Sequence, residues 1–594
     1  MDQMWYVLVA FRFLLTLYPQ SGYIHPDEFF QNPEVTAASV FGFETHKTWE
    51  WQNKELPIRT VVFPYATSGF AFLVLKKLQE YFPGIVTAYS LLVFPRLLLT
   101  FLSLILDYML YKLCRYLRID ADRCLVFLAS SYVTLVFCCR TFSNGMECFL
   151  FAVVLALTLK SAETMEKSKV SQRGRKLSRK EDPVTTSRET YSFLLSVVIT
   201  FGMFTRLSFA AFVMWPMFYW YYSIVRYHGF LVGFSSAFSL IPGTVLTMFT
   251  CIVTDSIYYG TMSSDVIFSY DIQYFYDTFT SDHLPENLTI TPLNFLIYNS
   301  DISKLSYNPI HPRSTHFVLN MPLLFLPLLM WVLPSLFSFN QIPQQSGKSP
   351  TINKMNFFLV LATLVPVGAL SFIPHQEPRF LIPIIVPLLL LFCRNVDDLS
   401  FNFKVSWIIW NLMGVLFFGF FHQGGVVPCL QHLQGLSKSN PQTEHHFVFY
   451  HTYMPPRHLL AVSQASDSHI IRPSDNENAP FSHVTTHDLA GADHAFLSQK
   501  IDQLMTQAHR SQTDVEVYII SPSTLSAFFH TVHAQYDFNL QRQFYPHITI
   551  EDPMDFSFDD KYAVDKSAST FMKFVQSQLS LNLYKVEQRW HDAS

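Results

Sequence analysis

Two adjacent carboxylates stand where the first apolar run of the chain gives out. The run from Trp5 to Tyr18 is followed by Tyr23-Ile24-His25-Pro26-Asp27-Glu28-Phe29-Phe30-Gln31. Pro26 fixes its own backbone and disfavours helix at His25, so Asp27 and Glu28 fall at the start of a helix or turn, where the dipole favours anions. Neighbours on a helix point about 100° apart, so only one of the pair can face a given substrate. Such a carboxylate could act as general base toward a hydroxyl while its neighbour positions the acceptor. The plainer alternative makes both simple N-terminal turn residues of an interfacial helix.

A second cluster, Pro374-His375-Gln376-Glu377-Pro378-Arg379-Phe380, wedges an imidazole, a carboxylate and a guanidinium between two apolar runs. Arg379 there could grip a phosphate at headgroup depth through two hydrogen bonds, or it could merely snorkel. Arg96 and Asp107 share one apolar run, but eleven residues of helix set them about 16 Å apart. Arg96 must therefore meet either a lipid phosphate or a carboxylate on another helix. A third group gathers Tyr258, Asn294, His311 and His316, whose directed hydrogen bonds and aromatic faces suit a polyhydroxylated sugar as well as an ordered loop. His25, His311, His316 and His375 with the nearby carboxylates could be imagined around a metal, yet no two have ligand spacing on one helix, so none is expected.

These residues need elements to hold them, and composition says which. Of 594 residues 50% are apolar and 14% charged, against about 25% charged in soluble chains. A polytopic α-helical membrane protein is predicted. Apolar runs at 5–18, 86–111, 123–139, 145–160, 191–205, 207–224, 229–253, 321–338, 355–373, 380–394 and 405–421 supply about eleven spans, several of them short for the role. Lys and Arg accumulate in 112–123 and 167–180, which the positive-inside rule puts in the cytoplasm. By parity 19–85, 140–146, 254–320, 374–379 and the tail from 422 are luminal, and the sequon Asn287-Leu288-Thr289 falls among them as a glycosylation site. Segment 67–85 fits an interfacial helix better than a span.

The chain thus reads as a membrane module, 1–421, whose large luminal loops are 19–85 and 254–320, followed by a small luminal α/β domain, 422–594. In the tail, β-rich 446–450 and 515–520 flank a helix-like 495–508, while 462–492 has the composition of exposed loop. All eight cysteines lie in or beside apolar runs up to Cys429, so the tail is no disulfide scaffold. A net charge of −4 offers no field for nucleic acid.

The motif order carries a resemblance. His25-Pro26-Asp27-Glu28, Arg140-Thr141-Phe142-Ser143-Asn144-Gly145-Met146-Glu147 and His375-Gln376-Glu377-Pro378-Arg379-Phe380 resemble the endoplasmic-reticulum mannosyltransferases of glycosyltransferase family 22, over residues 1 to about 460. Gly145 departs from the bulkier small residue usual there. The resemblance implies a GT-C fold, dolichyl-phosphate-mannose as donor, a glycolipid acceptor, the endoplasmic-reticulum membrane with a luminal active site, and no cofactor. His-Pro before the acidic pair, with Phe29-Phe30, Gln376, Pro378 and Tyr450-His451-Thr452-Tyr453-Met454-Pro455-Pro456-Arg457, is similar to the members that add the fourth, α1,2-linked mannose to the glycosylphosphatidylinositol (GPI) precursor. The third-mannose members are the alternative. It also implies an inverting transfer and roles: Asp27 as general base with Glu28 the next candidate, Arg379, His375 and Arg96 around the donor phosphate, and His25, Gln376, Glu377, Tyr258, Asn294, His311 and His316 as substrate contacts. A competing class, a transporter or a non-catalytic subunit of a glycosylation complex, would place polar groups near the bilayer midplane rather than in luminal loops.

Overall fold

A computed structural model describes residues 2–174, 183–263, 265, 288–300, 310–337, 350–396, 399–463, 484–511, 514–526, 529, 535–553, 574–575 and 577–589. The sequon residue Asn287 lies outside them. Among the described residues seven helices are long and apolar enough to cross a membrane: Ala88–Leu117, Ser143–Lys167, Phe230–Tyr259, His316–Pro334, Lys354–Ser371, Pro378–Asn395 and Phe401–Phe421. Gln3–Leu17 and Glu189–Thr205 are shorter apolar helices, and Phe209–His228 is helical over 20 residues. The run 123–139 is not one helix. It breaks after Ala121–Ser130, and the backbone donor freed at Tyr132 is taken by the Asn411 side chain at 2.8 Å, a partner that local sequence cannot reveal.

By contacts the chain forms two compact units, and neither is one continuous stretch. The first comprises residues 1–14, 47–67 and 98–411. Within it Arg12, the charge that interrupts the first apolar run, is fully buried and ion-paired to Asp107 at 2.6 Å. Ser103 accepts from the same guanidinium at 2.9 Å, so a charge in an apolar helix is neutralised where it stands.

The second unit comprises residues 15–46, 68–97 and 412–594. Its centre is a five-stranded sheet of order β2-β1-β3-β5-β4, with β1 Glu444–Phe449, β2 Val484–Asp488, β3 Val515–Pro522, β4 Tyr536–Phe544 and β5 Leu581–Gln588. β1 pairs in parallel with β2 and β3, and the β3-β5 and β5-β4 pairs are antiparallel. The β2 segment was expected to be loop. It is a polar edge strand, which explains why composition hid it.

Side chains along a strand alternate between faces, and both faces of this sheet are buried. Val448, Val517, Ile519, Tyr584 and Val586 pack with Leu497, Ile501, Leu504 and Met505 of the helix His494–Arg510. Phe447, Phe449, Tyr518, Ile520, Leu581 and Leu583 share a core with Tyr23, Phe29, Phe30, Ala37, Val40, Phe43, Phe72 and Leu75. Much of the segment expected to be the first luminal loop is therefore the second layer of the sheet domain. The helix Phe70–Gln79 belongs to it, burying Ala71, Phe72 and Leu75. Entry into this layer is tight: a Cβ on Gly22 would lie 2.5 Å from the Phe418 carbonyl oxygen, so only glycine lets the two backbones meet.

Burial leaves a pH signature here. The His547 imidazole is pushed down to about 3 by its burial, helped by His422, and His487 to about 4 by burial, Lys500, His446 and Arg457. The unfolded chain takes up these protons near 6.5, the folded one far lower. The stability they contribute is thus complete above about pH 6.5 and drains away as pH falls toward 4. His547 alone accounts for a loss on the order of 2 kcal/mol by pH 5. Thermal unfolding of the detergent-solubilised protein is expected to show a lower midpoint at pH 5 than at pH 7.5.

Candidate active site

The acidic pair lies in the second unit on a one-turn helix, Asp27–Phe30, preceded by Pro26 in helical conformation. The two carboxylates diverge. Glu28 is buried at 1% exposure, with Oε1 2.6 Å from Arg96 Nη2 and 2.9 Å from Nε. Arg96 Nη1 donates to the Gln20 carbonyl at 2.8 Å. The Asp27 side chain keeps 24% of its surface, and its Oδ1 lies 3.5 Å from His25 Nδ1. That nitrogen accepts from the Asp27 backbone N–H at 3.1 Å, so a neutral His25 ring carries its proton on Nε2. Arg96 has thus found a carboxylate on another element, and Asp107, farther along the same helix, pairs with Arg12.

Sequence reasoning passed over the group that anchors this turn. Glu34, fully buried on the helix Pro33–Phe41, accepts through Oε1 from the His458 backbone N–H at 2.9 Å and contacts His458 Nδ1 at 2.8 Å. Its Oε2 accepts from the His46 N–H at 2.9 Å. An ionised carboxylate can only accept, which puts a proton on His458 Nδ1. Tyr23 adds a hydrogen bond to the Met454 carbonyl at 2.9 Å and an edge contact with Tyr453. The signal for Glu34 and His458 was weak, because 424 residues separate them.

The first unit holds the second cluster. Arg379 is buried, with Nε and Nη2 both donating to the Glu377 carboxylate. His375 Nε2 meets the same carboxylate at 2.6 Å. Gln376 is fully engaged: its Oε1 accepts from the His316 N–H at 3.0 Å, and its Nε2 donates to the Ser371 and Ile373 carbonyls. His311 joins through Nδ1, which accepts from the Gln376 N–H at 3.3 Å, and its ring lies 5.8 Å from that of His375. His316 Nδ1 contacts Asn320 Nδ2 at 3.0 Å. His311, His316, His375, Gln376, Glu377 and Arg379 are therefore one assembly.

Tyr258 and Asn294 serve a different segment. Asn294 donates to the Pro57 carbonyl at 2.9 Å. Tyr258 lies edge-on to Trp51 and Tyr65, with Lys47 Nζ 5.2 Å above its ring. Buried Asp255 accepts from Thr60, from the Val61 N–H and from Thr291, at 2.9 to 3.0 Å, and so fastens residues 47–67. The expected sugar-binding group is thus divided between two groups. Among the described residues no three His, Cys, Asp or Glu side chains gather as metal ligands would.

The profile of the Alg9-like mannosyltransferase family matches residues 3–461. The chain belongs to that family. It is a mannosyltransferase, then, with its matched region running through the helices of both units to the end of the Arg457–Leu460 turn. It is 32% identical over 570 residues to the human GPI alpha-1,2-mannosyltransferase 4, covering 93% of this chain and 89% of that protein. It is 27% identical to GPI mannosyltransferase 4 of Drosophila melanogaster, over 92% and 86% of the two chains. The apo crystal structure of ArnT from Cupriavidus metallidurans aligns with a TM-score of 0.45 at 13% identity, over 91% of this chain and 95% of that one, a likeness too distant to bear on the fold or the activity.

The Glu28–Arg96 pair makes a thermodynamic demand that can be measured. Removing one member of a buried pair strands the other charge and costs roughly 3–5 kcal/mol. Arg96→Leu is expected to lower the thermal midpoint sharply in detergent, and Arg96→Leu combined with Glu28→Leu, which strands no charge, should recover much of the loss.

Proposed function

We propose that this membrane mannosyltransferase transfers mannose from dolichyl-phosphate-mannose to the third mannose of the GPI precursor in an α1,2 linkage, at the luminal face of the endoplasmic reticulum. The acceptor and linkage rest on the names of the relatives, which this chain matches over most of its length. The chemistry rests on one observation: of two adjacent carboxylates, Glu28 is sequestered by Arg96 while Asp27 keeps an accessible face beside His25.

In this reading the acceptor 2-hydroxyl oxygen attacks C1 of the donor mannose and the bond from C1 to the phosphate oxygen breaks. The hydroxyl proton passes to the Asp27 carboxylate, and dolichyl phosphate leaves with the bonding electron pair. One displacement converts a β-linked donor into an α-linked product, so the reaction needs a base and a stabilised leaving group but no covalent nucleophile. Glu28 positions rather than reacts. Arg379, oriented by Glu377 and flanked by His375, meets the charge developing on the phosphate. His311, His316 and Gln376 frame the segment that carries Arg379.

General-base assistance is worth about 10² to 10⁴ in rate. Asp27→Asn is expected to lose activity on that scale at an unaltered thermal midpoint, measured as radiolabelled mannose transfer to a three-mannose GPI acceptor by purified enzyme. Normal transfer by this variant would sink the assignment of the base. Product formed only from a two-mannose acceptor by the unaltered enzyme would overturn the acceptor and leave the base standing.

A further inference from the structure

One charged residue on the luminal side takes no part in the reading above. Arg206 sits in the short turn between the helices Pro183–Thr205 and Phe209–His228, and its position is set by the Arg140 to Glu147 motif, to which no role has yet been given. Arg206 Nη1 donates to Ser143 Oγ at 3.0 Å, and its Nε lies 3.4 Å from Glu147 Oε2. Glu147 is itself buried and held: Asn144 Nδ2 donates to Oε2 at 2.9 Å and Ser208 Oγ to Oε1 at 2.7 Å. So fixed, the Arg206 guanidinium carbon stands 5.2 Å from the centre of the Phe380 ring. That of Arg379 stands 5.7 Å from the same centre. Two luminal turns thus bring two guanidinium groups to one aromatic ring, each oriented by its own carboxylate.

We propose that Arg206 is a second phosphate-binding residue of the donor site, acting with Arg379 across Phe380. The inference rests on the donor reading given above. A lipid-linked sugar phosphate carries one negative charge when bound and gains a second as the bond to C1 breaks. Each guanidinium is paired with its own carboxylate, so what the second adds is further N–H donors held ready without reorganisation for the charge that develops. Both guanidinium carbons lie within cation–π reach of the Phe380 ring. The Arg140 to Glu147 turn then acts as a positioning element, with Glu147 aiming Arg206 as Glu377 aims Arg379.

The test is steady-state transfer by the full-length enzyme with donor and acceptor varied separately. Loss of one preorganised donor to a developing oxyanion costs about 10² to 10³ in rate. Arg206→Gln is expected to lower kcat/KM for dolichyl-phosphate-mannose on that scale and to weaken inhibition by dolichyl phosphate, with the acceptor KM unmoved. Arg206→Lys keeps the charge without the fork and should recover part of the loss; it also carries the test if the glutamine variant does not fold. An unchanged kcat/KM for donor in a folded variant, or a loss that falls wholly on the acceptor KM, would overturn the proposal. Absence of transfer from dolichyl-phosphate-mannose by the unaltered enzyme would instead bring down the donor reading itself.

Discussion

A charge taken out of water must be answered nearby, and in this chain that requirement places four arginines. Isolated ions in an apolar medium are prohibitively costly, and even paired ones need further hydrogen bonds to hold. Arg12 meets Asp107, Arg96 meets Glu28, Arg206 meets Glu147 and Arg379 meets Glu377. The first three join different elements, so each is also a geometric tie, while Arg379 and Glu377 lie two residues apart. Asp27 is the instructive contrast. Its neighbour spends its charge on the pair with Arg96, while the Asp27 side chain keeps 24% of its surface.

The sheet domain extends the same logic from charge to area. Strands with parallel neighbours, buried on both faces, need cover on each side. The helix His494–Arg510 covers one side, and residues from Tyr23 to Leu75 cover the other. The segment that carries Asp27 is thereby built into a hydrophobic core. Glu34, buried with His458, adds a polar lock within it. Precision at a reacting group comes from supporting contacts of this kind, because a carboxylate on a loop alone would sample too many positions to serve as a base.

What was legible in the sequence follows from the range of the forces involved. Hydropathy is local, so most of the apolar runs expected to span are helical where they are described, 123–139 being the broken one, and 446–450 and 515–520 fall in strands as their residues suggested. Adjacent Asp27 and Glu28 were visible as a pair with Asp27 the favoured outward member, but the partner that sequesters Glu28 was not, since Arg96 lies 68 residues away. The break at Ser131 depends on Asn411, and the polar edge strand Val484–Asp488 depends on the backbone of β1. Arg206 was hidden for another reason. As one cation between two apolar runs it reads as a boundary marker, and only its approach to Phe380 distinguishes it from one.

The turn that carries Arg206 is short, residues 206–208 between two helices. A turn of a few residues between packed helices cannot move far, so whatever it carries keeps its place through a reaction cycle. Electrostatic stabilisation of a developing anion is effective only where the donors need no reorganisation as charge appears. Long loops would give reach at the cost of that rigidity. The chain uses both designs: the segment that carries Asp27 is long but packed as part of a core, and the arginine-bearing segments are short and pinned by carboxylates. Both solve one problem, which is to keep charged groups ready beside a membrane without leaving them unanswered.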